Sequence, residues 1–193
     1  MRRILLGLVV FTAVVAGGLA SASILLRPST VGPAVAPGPD SHPEAVIQVY
    51  GADVWGIRGH FAIHTWIAVK PQRAEQYTVY QVIGWRLRRG QPVLSKAKGR
   101  PDVPWFGSAP MLLHELRGEG AEPLVQRVVK AAESYPYPRA YTMYPGPNSN
   151  SFTQWVALSV PELGLDLPAK AIGKNWMTEN FEAGVDPLGR QAG

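Results

Sequence analysis

Tyr144-Pro145-Gly146-Pro147-Asn148-Ser149-Asn150-Ser151-Phe152-Thr153-Gln154-Trp155 decides how the chain is organised. Two prolines and a glycine stop an extended segment, and small polar residues follow. Phe152, Trp155 and Val156 then recur at helical spacing, with Ser159 and Val160 one turn on. The pattern predicts a helix that starts near Ser149 and ends at Pro161, with one buried face and an exposed first turn. A helix N-terminus carries unpaired N–H groups and a partial positive charge, which help a hydroxyl toward its anion and offer donors to a developing oxyanion. Ser149 is placed for that role. The same letters also spell a helix cap: Ser151 with Gln154 three residues later is a capping-box pattern, and Asn148 or Asn150 can cap as well. A catalytic Ser149 requires a partner histidine.

Upstream, Ala45 to Tyr50 reads as a first strand, and His60 to Val69 as a second that Pro71 stops. Alternation puts Phe61, Ile63, Thr65, Ile67 and Val69 on one face, and His60, Ala62, His64, Trp66 and Ala68 on the other. The first face is apolar core; the second pairs two imidazoles with small residues and leaves room for a ligand. A hydrogen-bonded structural histidine is the competing role. Gln76 to Leu87 predicts a third strand, followed by a basic hairpin through Arg89-Gly90-Gln91-Pro92, whose cations suit a solvated sheet edge.

Pro101 to Pro110 is expected to be a loop and Met111 to Leu116 a strand. His114 shares a side with Leu112 and Leu116 and is expected in or near the core. Pro123 at a first helical position, with Leu124, Val125, Val128, Val129 and Ala132 as its stripe, predicts the strongest helix, ended by Tyr135-Pro136. Arg139 to Tyr144 predicts another strand. The residues from Leu163 to Trp176 read as irregular packing segments, and the last dozen as frayed.

At the N-terminus, Met1-Arg2-Arg3 precedes an uncharged run from Ile4 to Leu26, closed by Arg27. At ~1.5 Å per residue the run is long enough for a bilayer core of ~30 Å. The arginine pair favours a cytoplasmic N-terminus with the remainder exported. Ala20-Ser21-Ala22 fits signal cleavage, but Ile24-Leu25-Leu26 carries the apolar run past it, which favours an uncleaved anchor. The expected organisation is a transmembrane anchor over 1–26, a Pro/Gly-rich linker over 27–43 and a single α+β domain over 44–193. The expected setting is a bacterial inner membrane crossed once, with the C-terminal domain in the periplasm.

Composition excludes several classes. The 193 residues carry 19 Lys and Arg against 14 Asp and Glu, a net charge of +5 that falls to +3 once Arg2 and Arg3 are set aside with the N-terminal segment, and nucleic acid is not the expected partner of an exported domain this weakly basic. There are 0 cysteines, so disulfides, thiolate zinc sites and a cysteine nucleophile are ruled out. No cofactor fingerprint appears: Gly173-Lys174 lacks the rest of a phosphate loop, and no His-x-x-x-His falls on a helix.

His64 in Ile63-His64-Thr65-Trp66, followed much later by Asn148-Ser149-Asn150-Ser151-Phe152, resembles the circularly permuted papain-like superfamily. That group includes the PPPDE isopeptidases and the lecithin:retinol acyltransferase-like enzymes. The whole chain also resembles an uncharacterised bacterial membrane-anchored family known only as a domain of unknown function. The papain-like resemblance implies an antiparallel sheet packed with two main helices, the histidine strand facing the nucleophile helix, and hydrolase or acyltransferase chemistry on an amide or ester. Ser149 stands where those enzymes have cysteine, and a hydroxyl needs a true general base. The expected site is Ser149 as nucleophile and His64 as base, with Gln81 or His60 orienting the imidazole. Asn148 and Asn150 lie beside the site, and Trp66, Tyr144 and Trp155 are candidate walls. The alternative is a catalytically inactive cleft that binds an envelope peptide, glycan or lipid group.

Overall fold

The computed structural model describes residues 35–182; the expected anchor over 1–26 lies outside them. Five antiparallel strands form one sheet in the order β4-β3-β2-β1-β5. They are β1 (Val46–Asp53), β2 (Ile63–Lys70), β3 (Thr78–Val82), β4 (Leu94–Lys98) and β5 (Met111–Arg117). Among the described residues three helices complete the α+β domain: α1 (Glu122–Glu133), α2 (Ser149–Ser159) and α3 (Lys174–Glu182). Among the described residues no helix is long and apolar enough to cross a membrane.

β1 and β2 are central, and both of their faces are buried. Alternation assigns the faces as expected from Ile63 onward. Ile63, Ile67 and Val69 join Val125, Val128, Phe152 and Trp155 in the main core, under α1 and α2. Trp66 packs with Tyr50 and Ala52 on the other side. Trp155 and Phe152 are fully enclosed, each contributing roughly 1.5–3 kcal/mol of apolar burial. The Trp155 indole N–H also donates to Ala131 O (2.8 Å), tying α2 to α1.

Several expectations are corrected. His60 is not on β2: the chain makes a 3-10 turn over Gly56–His60, and a Cβ on Gly59 would meet Val54 O at 2.5 Å, so the backbone folds too tightly there to continue as a strand. β3 is shorter than expected, because Gly84–Arg89 forms a 3-10 turn that Gly90 closes in a left-handed conformation (φ 68). Arg139–Tyr144 is irregular: Pro138 O accepts from Val93 N–H, and the Tyr141 ring packs onto Gly84, where a Cβ would meet it at 2.5 Å. Lys174–Glu182 is a helix, held by Trp176 against Tyr137 and Phe181 against Trp155.

The described part of the Pro/Gly-rich segment lies against the sheet. Val35 and Ala36 N–H groups both donate to Asp102 Oδ2 (2.7 and 3.0 Å), and Tyr77 OH donates to Pro37 O (3.0 Å). Ala36 is buried with Val46, Ala68 and Tyr77.

Candidate functional site

The first turn of α2 is buried, not exposed, because it is pinned from three sides. Asn148 caps it: Oδ1 accepts from the N–H groups of Asn150 (2.9 Å) and Ser151 (3.1 Å). Ser151, not Gln154, closes the capping box, its Oγ accepting from Asn148 N–H (3.1 Å) and donating to Gly173 O (2.8 Å). Asn148 Nδ2 donates to Met143 O and Ile172 O, fastening the cap to the segment before α3.

A buried polar chain then joins α2 to β2. Thr65 Oγ1 lies 2.9 Å from Asn150 Oδ1 and 2.8 Å from Thr153 Oγ1, and Asn150 Nδ2 donates to Ile63 O (3.0 Å) and Ile172 O (2.8 Å). Every bond has a partner, which makes so polar an element affordable beneath a sheet.

Ser149 is the exception. It is 4% exposed, and neither its hydroxyl nor its backbone N–H has a hydrogen-bond partner among the described residues. The other donors of that turn are taken by Asn148 and Ser151, so Ser149 alone retains the unpaired capacity of the helix start. It lines a pocket of about 340 Å³. Asn148, Asn150 and Ile172 also line it, with Phe61 and Ala62 just before β2, Ile63 at its start, and Trp85, Trp105 and Phe106.

His64 shares the face of Trp66, across the sheet from α2. Its Nε2 lies 3.1 Å from Gln81 Oε1, and its ring stacks on Trp105 with centroids 3.7 Å apart and planes 5° from parallel. As Gln81 is placed, Nε2 carries the proton and Nδ1 the lone pair. Burial pulls the imidazole down to about 4 from its ordinary 6.5, against the Gln81 bond, which raises it. The imidazole is therefore neutral at neutral pH.

The structure brings His64 together with Gln81 but forms no hydrogen bond between His64 and Ser149; at the position facing α2 stands Thr65 instead. His60 is exposed, its ring against Phe61 rather than Gln81. Trp66 is buried, donating its indole N–H to Pro101 O (2.8 Å), and Trp155 is core. Tyr144 is exposed and lines a different concavity, beside Lys174 and Trp176. Among the described residues no three His, Asp or Glu side chains gather as a metal site.

Sequence reasoning missed the aromatic wall. Trp85 and Trp105 stack with centroids 5.5 Å apart, and Phe106 meets both edge-on. Phe106 (φ 47) and Gly107 (φ 84) form a tight turn whose flanks, Trp105 and Ser108, exchange both backbone hydrogen bonds. The available signal was aromatic residues in a turn-rich loop, where core alternation does not explain them.

Fold and site together define an α+β domain with an apolar pocket at the start of a buried helix. The chain belongs to the family described as Protein of unknown function (DUF3750), whose model matches residues 44–176. Neither curated proteins nor solved structures give a match.

Proposed function

We propose that this is a binding domain of the cell envelope whose pocket takes the apolar part of a ligand, with Ser149 meeting a carbonyl or similar oxygen on it. The observation that carries this is Ser149 itself: an unpaired N–H and an unpaired hydroxyl beside an apolar pocket of about 340 Å³. Apolar walls with few convergent polar groups are the usual composition of a small-ligand site. An acyl group attached through an amide or ester supplies both halves of that chemistry.

A second reading, hydrolysis or acyl transfer, is favoured by the His64–Gln81 pair, which fits the papain-like resemblance. Neutral His64 can accept a proton, and the Ser149 N–H suits an oxyanion. The step requires His64 to reach Ser149, and Trp105 stacked on the imidazole opposes that.

The test uses the purified protein with the fluorescent apolar probe N-phenylnaphthylamine, displaced by a medium-chain acyl amide. Phe61→Asp should abolish probe binding. Ser149→Ala should leave the probe bound and weaken the amide by roughly 3–10-fold, about one hydrogen bond. Absence of probe binding by the wild type would overturn the proposal. Labelling by a fluorophosphonate that disappears in both Ser149→Ala and His64→Ala would replace binding with catalysis.

A further inference from the structure

The pocket opens at the end of the sheet where β1 stops and β2 begins, and apolar side chains stand out from that end. Trp55 and Ile57 are each 78% exposed and Phe61 is 72% exposed, with Phe106 projecting from its turn beside them. The one formal charge within this turn, Arg58, is basic. Arg58 and His60 are exposed, no acidic residue lies in Gly56–His60, and nearby Asp53 is matched by Lys170 Nζ at 2.6 Å. Large apolar side chains grouped at one end of a domain mark a surface that something covers.

The course of the chain points to what covers it. Residue 37 is held beside Tyr77, and residue 35 beside Asp102, next to the Pro101 carbonyl that Trp66 binds. The described segment therefore begins at the Asp102 carboxylate, which both Val35 and Ala36 bind, with Ala36 packed against Val46, Ala68 and Tyr77. Only residues 27–34 then separate it from the apolar run Ile4–Leu26. Fully extended, they reach at most ~28 Å at ~3.5 Å per residue. Trp, Phe and Ile around an Arg match an acyl-chain boundary with phosphate headgroups above it.

We propose that this rim, Trp55, Ile57, Phe61 and Phe106 with Arg58, docks onto a lipid bilayer. The proposal rests on the expected span over Ile4–Leu26; Trp55, Arg58, Phe61 and Phe106 also line the pocket, so the test is placed on Ile57, which does not.

The chain contains no cysteine, so Ile57→Cys accepts a nitroxide label at a single position. Glu119→Cys, in the turn after β5 at the opposite end of the sheet, is the control. The full chain is reconstituted in phosphatidylethanolamine and phosphatidylglycerol vesicles, and relaxation by oxygen, which concentrates in lipid, is compared with relaxation by a water-soluble nickel complex. The expected result is an oxygen-to-nickel ratio several-fold higher at position 57 than at 119. Equal ratios would overturn the proposal, because the rim would then be in water. Exclusion of both relaxants with spin–spin broadening would also overturn it, because a second copy of the chain would be covering the rim.

Discussion

His64 has two neighbours that determine its chemistry. Trp105 covers its ring and Gln81 holds its Nε2, and burial lowers its pKa to about 4. In the unfolded chain the imidazole titrates near 6.5, so as pH falls through that value the unfolded state binds a proton that the folded state refuses. Stability is therefore full above about pH 6.5 and declines toward pH 4, by on the order of 3 kcal/mol in all. Denaturant melts at about pH 7 and about pH 5 on wild type and His64→Gln measure this. The variant is less stable at both values, but its loss on acidification should be clearly smaller; an identical loss would sink the account. At this scale the sequence was informative about which residues matter and less so about how they meet. Alternation placed His64 beside Trp66, and Gln81 was a candidate partner for it. The Trp105 stack was not legible, because it joins a strand to a loop 41 positions away through a turn with no periodic signal.

The start of α2 is specified twice, by its own cap and by the segment that precedes α3. Gly173 has φ +94, and a Cβ there would collide with the Asn148 amide, so glycine serves both the backbone conformation and the close approach. Asn148→Ala removes two accepted and two donated hydrogen bonds and should cost roughly 2–4 kcal/mol. Gly173→Ala should cost a similar amount by pushing the same amide aside. The two should be clearly less than additive, because the collision vanishes once the amide is gone. Urea titrations of both single variants and the double test this; simple additivity would show that Gly173 acts apart from the cap. Local signals sufficed for α1 and α2, where an apolar stripe and an N-terminal proline or polar cap are written in the letters. They failed for α3, which tertiary ring contacts through Trp176 and Phe181 hold in place. They failed again at Arg139–Tyr144, where alternation imitates a strand but the backbone bonds go elsewhere.

For the whole molecule, the decisive contact is between the segment that enters the domain and Asp102. Burial pushes this carboxyl up, but the Arg100 guanidinium and the N–H groups of Ala36 and Val35 outweigh burial and leave it below its ordinary range. Its contribution is thus present above the usual carboxylate pKa and is lost as pH falls through the lower folded value. Asp102→Asn weakens the bonds to Arg100, Val35 and Ala36 and should cost roughly 1–3 kcal/mol, while amide hydrogen exchange at Val35 and Ala36 accelerates. Unchanged exchange there would mean that packing of Ala36 against Tyr77, rather than the carboxylate, holds the segment. Release also has a consequence at a distance. On the proposal that the rim docks onto a bilayer, with the expected span over 1–26 as anchor, adding residues 35 to 42 to the 27–34 connection would roughly double its length and lower the effective concentration of the domain at the bilayer about threefold. The oxygen-to-nickel ratio at a nitroxide on Ile57→Cys should then fall toward that of Glu119→Cys. If the ratio stays high although exchange at Val35 has accelerated, the rim would bind lipid by its own affinity, and the Asp102 clamp would contribute to stability alone.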